Sequence, residues 1–356
     1  MPSVPHQVNY PAMLDSPGAA GHARAMLRRL LSVLLVLGLA PAVWLREPPP
    51  RPNASQSLQA EPLPLPGDRR VGPFRLNGAW HLVSPNSDFG GYSALLGNGA
   101  GRLVAFSDTG VRLDMPVPGG QGPVRIARLL PERNGMKASR DVESAAHDPA
   151  TGGFWLALEG RNLFLHLVPG EAAPRVVPGP ELAGWPSNSG AEAMTRLADG
   201  RFLILAEAGD RVHEGRLLPH APDGVDHALR FSFITPRGYR PTDVAQLPDG
   251  RVLILLRELR WPLPPRFGTR LVLADPGQIA TGKPWRGTVI AGFDGTGLQE
   301  NYEGLAIVPG ADGWLTAWLI SDDNAAATQR TLLLRLEFRL SDLPPRALPA
   351  KQKAPG

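Results

Sequence analysis

An acidic residue, a short apolar step, a turn and an apolar strand recur along this chain in a degenerate repeat. One copy is Glu143-Ser144-Ala145 with Gly152-Gly153 and Phe154 to Glu159, and another is Glu192-Ala193-Met194 with Asp199-Gly200 and Phe202 to Glu207. Two more are Asp243-Val244-Ala245 with Asp249-Gly250 and Val252 to Leu256, and Glu303-Gly304-Leu305 with Asp312-Gly313 and Trp314 to Asn324. A partial copy, Tyr92-Ser93-Ala94-Leu95 followed by Leu103 to Asp108, precedes them without the leading acid. The leading acids lie 49, 51 and 60 residues apart. Repeats of about 40–50 residues built from short strands and turns are the signature of a β-propeller, in which one repeat makes one blade. The expected fold is therefore all-β. Five copies, with Phe74 to Val83 either closing the ring or starting another blade, favour six blades over five.

Composition agrees with this expectation. Turn formers are abundant, at 40 Gly and 39 Pro in 356 residues, and no helical apolar period follows the first fifty residues. The net charge of +4 is partly supplied by Arg24, Arg28 and Arg29, and no basic run with interleaved aromatics follows, so a nucleic-acid partner is not expected. The absence of cysteine excludes disulfides, thiolate ligands and a cysteine nucleophile.

Residues 1–45 read as a leader. Arg28-Arg29 precedes the apolar run Leu30 to Ala40, and Ala40-Pro41-Ala42 resembles a cleavage site. Counted to Leu45 the run has 16 residues, short of the roughly 20 that span a bilayer. Export to the periplasm or the medium is expected, with an uncleaved membrane anchor as the alternative and Met26 as a candidate translation start. Residues 46–67 are proline-rich and read as an extended tether, 68–343 as the propeller and 344–356 as a tail.

In a propeller the innermost strand of every blade lines the central channel, so equivalent repeat positions form a ring. If the leading acid opens that strand, Glu143, Glu192, Asp243 and Glu303 converge on one mouth. Converging carboxylates repel, and a hard divalent cation such as calcium or pairing with arginine relieves them. The Asp-Gly acids at 199, 249 and 312 have the chemistry of hairpin turns instead. Arg140, Arg161, Arg257 and Arg330 flank the repeats as possible phosphate-gripping groups. His147 reads as a strand-end residue, and one His213 with Glu214 is no metal signature. Ser107, Ser144 and Ser321 flank acids, but no Gly-x-Ser-x-Gly elbow supports a serine hydrolase.

The segment Asn301-Tyr302-Glu303-Gly304-Leu305-Ala306, then Ser321-Asp322-Asp323-Asn324 and Gln329-Arg330, resembles the closing repeat of the phytase-like family, also described as esterase-like activity of phytase. Glu143-Ser144-Ala145 and Ala191-Glu192-Ala193-Met194 resemble its earlier repeats, and the similarity covers roughly 70 to 340. Tyr92-Ser93 and Asp243-Val244 depart from the pattern. The resemblance implies an exported bacterial propeller with an acidic phosphoesterase-type site. On that reading Glu143, Glu192, Asp243, Glu303 and Asp322 hold calcium, while Glu303, Asp322, Asp323 and Arg330 act on a small phosphorylated molecule. A monomer is expected. A non-catalytic propeller that binds a small ligand or envelope partner at the same mouth is the alternative, and arginines already neutralising the carboxylates would favour it.

Overall fold

A computed structural model describes residues 28–29, 50–99, 101–129, 141–179, 182, 184–186, 190–224, 227–261 and 266–346. The leader, apart from the exposed Arg28 and Arg29, lies outside the described residues, as do Arg140 and the tail beyond 346. No described helix is long and apolar enough to cross a membrane.

The described residues form five sheets, antiparallel but for one edge pair, each with an inner strand: Tyr92–Gly97, Val142–Asp148, Ala191–Arg196, Arg240–Gln246 and Tyr302–Pro309. We number the blades 1 to 5 in that order. The second strands are Arg102–Ser107, Gly153–Leu158, Phe202–Ala206, Val252–Arg260 and Trp314–Ser321. They read as nearly continuous apolar runs, such as Phe-Leu-Ile-Leu-Ala and Val-Leu-Ile-Leu-Leu, because a second strand has a neighbouring blade on each side and water on neither. Burial of each large apolar side chain there contributes about 1.5–3 kcal/mol.

The blades close on themselves through five apolar clusters, one per interface. Blades 1 and 2 share Ala94, Phe106, Ala145 and Leu156, and blades 2 and 3 share Trp155, Ala157, Met194 and Ile204. Blades 3 and 4 share Leu203, Phe233, Ile254 and Val272, and blades 4 and 5 share Leu255, Leu271, Leu305 and Leu319. Blades 5 and 1 complete the circuit through Leu95, Leu113, Ala306 and Ile320.

The ring has five blades, which corrects the six expected from the repeat count. Phe74–Val83 starts no blade of its own. It pairs antiparallel with Leu332–Arg339, from Leu332 opposite His81 to Glu337 opposite Arg75, and so supplies an outer strand to blade 5. The first and last parts of the propeller meet in one sheet, and ring closure becomes a set of backbone hydrogen bonds. Part of the proline-rich segment joins them: Gln59–Pro62 pairs with Trp80 to Val83, and the Gln56 side chain bonds the backbone of Ile126 at its N–H and C=O. Residues read as a tether are laid along the propeller.

The Asp-Gly acids are turn residues, as expected. Asp199 and Asp249 accept from the N–H of Arg201 and Arg251, and Gly200 and Gly250 take φ of +94° and +87° that an L side chain resists. The longest interval, between blades 4 and 5, has a structural cause: Pro284–Arg286 leaves blade 4 to pair in parallel with Leu229–Ile234 of blade 3.

Candidate functional site

Each inner strand carries a β-bulge at its start, where one residue drops out of register with the second strand. The skipped residues are Ser93, Glu143, Glu192, Thr242 and Glu303. A bulge re-aims the extra side chain, here toward the end of the channel. Equivalent positions after the second-strand partners hold Asp108, Glu159, Glu207, Arg257 and Asp322, and those before the inner strands hold Gly91, Asp141, Gly190, Arg240 and Asn301. Antiparallel pairing brings all three sets to one mouth. Eight carboxylates there face two guanidiniums.

Asp243 is not one of them, which corrects its place among the leading acids. The register puts Thr242 at the bulge and Asp243 one residue further in, at the position that Ser144, Ala193 and Gly304 hold in blades 2, 3 and 5. Its Oδ1 accepts from Val244 N–H at 2.7 Å and its Oδ2 from Leu305 N–H of blade 5 at 2.6 Å. Burial pushes this carboxyl well above the usual range, against the pull of the backbone donors. It pins inner strands together beneath the mouth.

The remaining charges divide across the opening. On the side of blades 4 and 5, Arg257 donates to Glu207 Oε1 at 2.7 Å, to Asn301 Oδ1 at 2.9 Å and to Glu303. Asn301, fully buried, also donates to Glu303 Oε1 at 2.9 Å and lies 3.4 Å from Asp322 Oδ2. Arg240 reaches the other Glu207 oxygen at 3.5 Å. The Glu303 carboxyl is raised by burial, with Arg257 and Asn301 opposing the rise. Asp322 is pushed well up by burial and by Glu303 and Asp108.

On the side of blades 2 and 3 the carboxylates crowd one another. Oxygens of Asp141, Glu143 and Glu159 all lie within 4.8 Å of one another. Burial, then Glu192 and Asp141, drive the Glu143 carboxyl well above its ordinary range, and Glu192 follows from burial and then Glu207 and Glu159. Glu159 is pushed up to about 7 by burial and by Asp141. Three mutually close carboxylate oxygens, two of them on carboxyls raised in proton affinity, fit a hard divalent cation.

Glu143, Glu192, Glu303 and Asp322 therefore stand at the mouth, while two other expected residues turn away. Asp323 Oδ1 accepts from Ala325 N–H at 3.0 Å and Gly91 N–H at 3.3 Å, and its Oδ2 from the Thr331 hydroxyl at 2.7 Å, tying its loop to blade 1. Arg330 is 42 % exposed and pairs with Glu300 at 3.1 Å. Of the flanking arginines that are described, Arg257 reaches the mouth, whereas Arg161 is exposed.

The other candidates are structural. Ser144 donates to Ala191 O, Ser321 to Arg330 O, and Ser107 accepts from Val111 N–H, so none is poised as a nucleophile. His213 is buried between Glu207 O and the Thr235 hydroxyl. Sequence reasoning missed Asp108, Asp141, Glu159, Glu207 and Asn301. The signal was present in part: an acid follows the second strand at 108, 159, 207 and 322, and only blade 4 substitutes arginine.

No curated protein matches the chain. Among solved structures it resembles the Cps50 (Swd1) β-propeller domain of Myceliophteria thermophila at 12% identity, covering 80% of this chain and 97% of that one, with a TM-score of 0.37. It also resembles the PQQ-bound aldose sugar dehydrogenase of Streptomyces coelicolor, at 12% identity, 80% and 100% coverage and TM-score 0.39. A third is YCF48 of Cyanidioschyzon merolae, at 14% identity, 75% and 77% coverage and TM-score 0.37. Likenesses this distant carry nothing of those proteins' chemistry to this chain. The family model for the phytase-like domain, described as esterase-like activity of phytase, matches residues 87–325, which spans blades 1 to 4 and the mouth-forming half of blade 5. The chain belongs to the phytase-like family.

Proposed function

We propose that the acidic mouth is a calcium-dependent phosphoester hydrolase site in an exported protein. The observation that carries this reading is the cluster of Asp141, Glu143 and Glu159, three carboxylates with oxygens within 4.8 Å of one another at the mouth. Bound there, calcium would supply charge neutralisation for phosphate oxygens and a polarised water. The chain's own groups set the conditions. Glu159, pushed up to about 7, must give up its proton to ligate, so loading a cation is favoured as the pH rises past that value. Arg257, locked by Glu207, Glu303 and Asn301, presents a fixed cationic wall across from the cluster. Export rests on the leader sequence, and a small phosphorylated molecule as substrate rests on the family resemblance and the charge of the site.

One observation favours a second reading, a non-catalytic propeller that binds a ligand here. Arg257 is already paired with two carboxylates and is not held free for a phosphate. A panel of phosphomonoesters and diesters assayed with calcium and with chelator separates the two, alongside calcium titration calorimetry. Turnover that needs calcium and falls in Glu143→Gln is the expected result. Calcium binding with no turnover would leave the ligand-binding reading, and absence of calcium binding would remove the metal site from both.

A further inference from the structure

The interface between blades 1 and 2 is built unlike the other four. In each of those, an outer strand carries apolar side chains into the interblade cluster: Phe164 of blade 2, Phe233 of blade 3, Leu271 of blade 4 and Leu333 of blade 5. The outer strands of blade 1, Val111–Pro116 and Arg125–Arg128, add no residue to the cluster shared with blade 2. Their Val111, Leu113, Met115 and Ile126 belong to the cluster shared with blade 5. Side chains alternate along a strand, so Arg112, Asp114 and Arg125 are the ones turned toward blade 2, and the register sets Asp114 directly opposite Arg125.

A cavity of about 550 Å³ lies where the apolar filling is missing. Its walls are Arg112, Asp114 and Arg125 of blade 1 and, on blade 2, the start of the second strand at Gly153-Phe154 with the turn from Leu167 to Pro174. Arg112 lays its guanidinium over the Phe154 ring at 4.9 Å and donates to Asp114 Oδ1 at 2.8 Å, an oxygen that Asn98 also approaches at 3.4 Å. The Arg125 side chain is exposed and has no partner among the described residues. Two other charged lining groups are already answered, Arg128 by Asp88 and Glu171 by Arg175. Arg112, Asp114 and Arg125 together leave one positive charge.

We propose that the cavity between blades 1 and 2 is a ligand site for a small monocarboxylate with an apolar body. Its volume is that of a small-molecule site. A carboxylate matches the flat fork of a guanidinium through two parallel hydrogen bonds. Its single negative charge balances the group of Arg112, Asp114 and Arg125, whereas a phosphate dianion would leave one negative charge over beside Asp114. The apolar body has Leu129, Val168 and Pro169 to lie against. The site is separate from the mouth: Phe154 starts the strand that Glu159 follows, and five residues of strand cover about 17 Å.

The test is calorimetry on the full chain with phenylacetate, acetate, 2-phenylethanol and phenylphosphonate at pH 8, where the phosphonate is doubly charged, in the wild type, Arg125→Gln and Glu143→Gln. Arg125 is exposed, so its replacement removes no core packing. Phenylacetate should bind about tenfold more tightly than acetate, which lacks the apolar body, and about tenfold more tightly than the uncharged 2-phenylethanol. Arg125→Gln should weaken phenylacetate about tenfold, the worth of a hydrogen bond to a charged group, while Glu143→Gln, at the mouth, should leave it unchanged. No binding of phenylacetate, equal binding of 2-phenylethanol, or an affinity indifferent to Arg125→Gln overturns the site. Tighter binding of phenylphosphonate than of phenylacetate overturns the choice of a monocarboxylate, and weakening of phenylacetate by Glu143→Gln overturns the placement between blades 1 and 2.

Discussion

Replacing Asp243 by alanine separates the register seen in the structure from the one the repeat suggests. Aligned by sequence, Asp243 is a metal ligand; placed by the bulge, it is a buried brace whose two oxygens accept from Val244 and Leu305 N–H. Truncation leaves both donors buried without a partner, at about 1–3 kcal/mol each. Part of that loss is offset, because burying this carboxyl is itself unfavourable, as its raised proton affinity shows. A net loss of about 3 kcal/mol follows, which in a domain this size lowers the melting temperature by roughly 6–12 °C. Asp243→Asn keeps one acceptor and should lose about half as much. Thr242→Ala, which gives up only long hydroxyl contacts of 3.3 and 3.5 Å, should cost under about 1 kcal/mol. Thermal melting monitored by circular dichroism gives the stabilities, and calcium calorimetry on the same samples gives the affinities, expected to be unchanged. An Asp243→Ala protein that melts like the wild type but binds calcium tenfold more weakly would refute the placement.

Three further outcomes are expected. Glu159 holds its proton up to about 7 in the folded chain against an ordinary 4.5, so between those values the native state binds more protons and stability falls as pH rises, levelling above about pH 8. Screening at this half-exposed group limits the loss to about 1–2 kcal/mol, and urea melts from pH 4 to 9 should show it, with a shallower fall in Glu159→Gln, where only the other raised carboxyls of the mouth remain. Calcium, binding only the native state, should raise the melting temperature more at pH 8 than at pH 5, and equal shifts at both would argue against ligation by the raised carboxyls. Arg257→Met should cost about 3–5 kcal/mol by stranding Glu207 and Glu303, whereas Arg330→Ala, at an exposed pair, should cost less than about 1 kcal/mol; chemical denaturation compares the two.

Local pattern carried much of this protein. The apolar runs at 202–206 and 252–256 announce strands with blades on both sides, and the Asp-Gly pairs announce the turns between them, because burial and turn geometry act over a few residues. The acids Glu143, Glu192 and Glu303 were legible as a ring for the same reason: equal repeat positions occupy equal places. Asp322 was marked by the closing motif.

The remainder depended on contacts between distant parts of the chain. A one-residue bulge decides that Thr242 and not Asp243 faces the mouth, and such a slip leaves little trace in composition or spacing. Whether Phe74–Val83 made a sixth blade or an outer strand for the fifth was settled by pairing with Leu332–Arg339, more than 200 residues away. Arg257 outranks Arg330 at the mouth because blade 4 carries it where four other blades carry acids, a comparison that needs all five registers at once. The recurring acid thus determined that a ring of charge would form. Only the closed propeller decided which carboxylates enter it and which arginine answers them, because a side chain's neighbours across the channel come from every blade and most of them are far away in sequence.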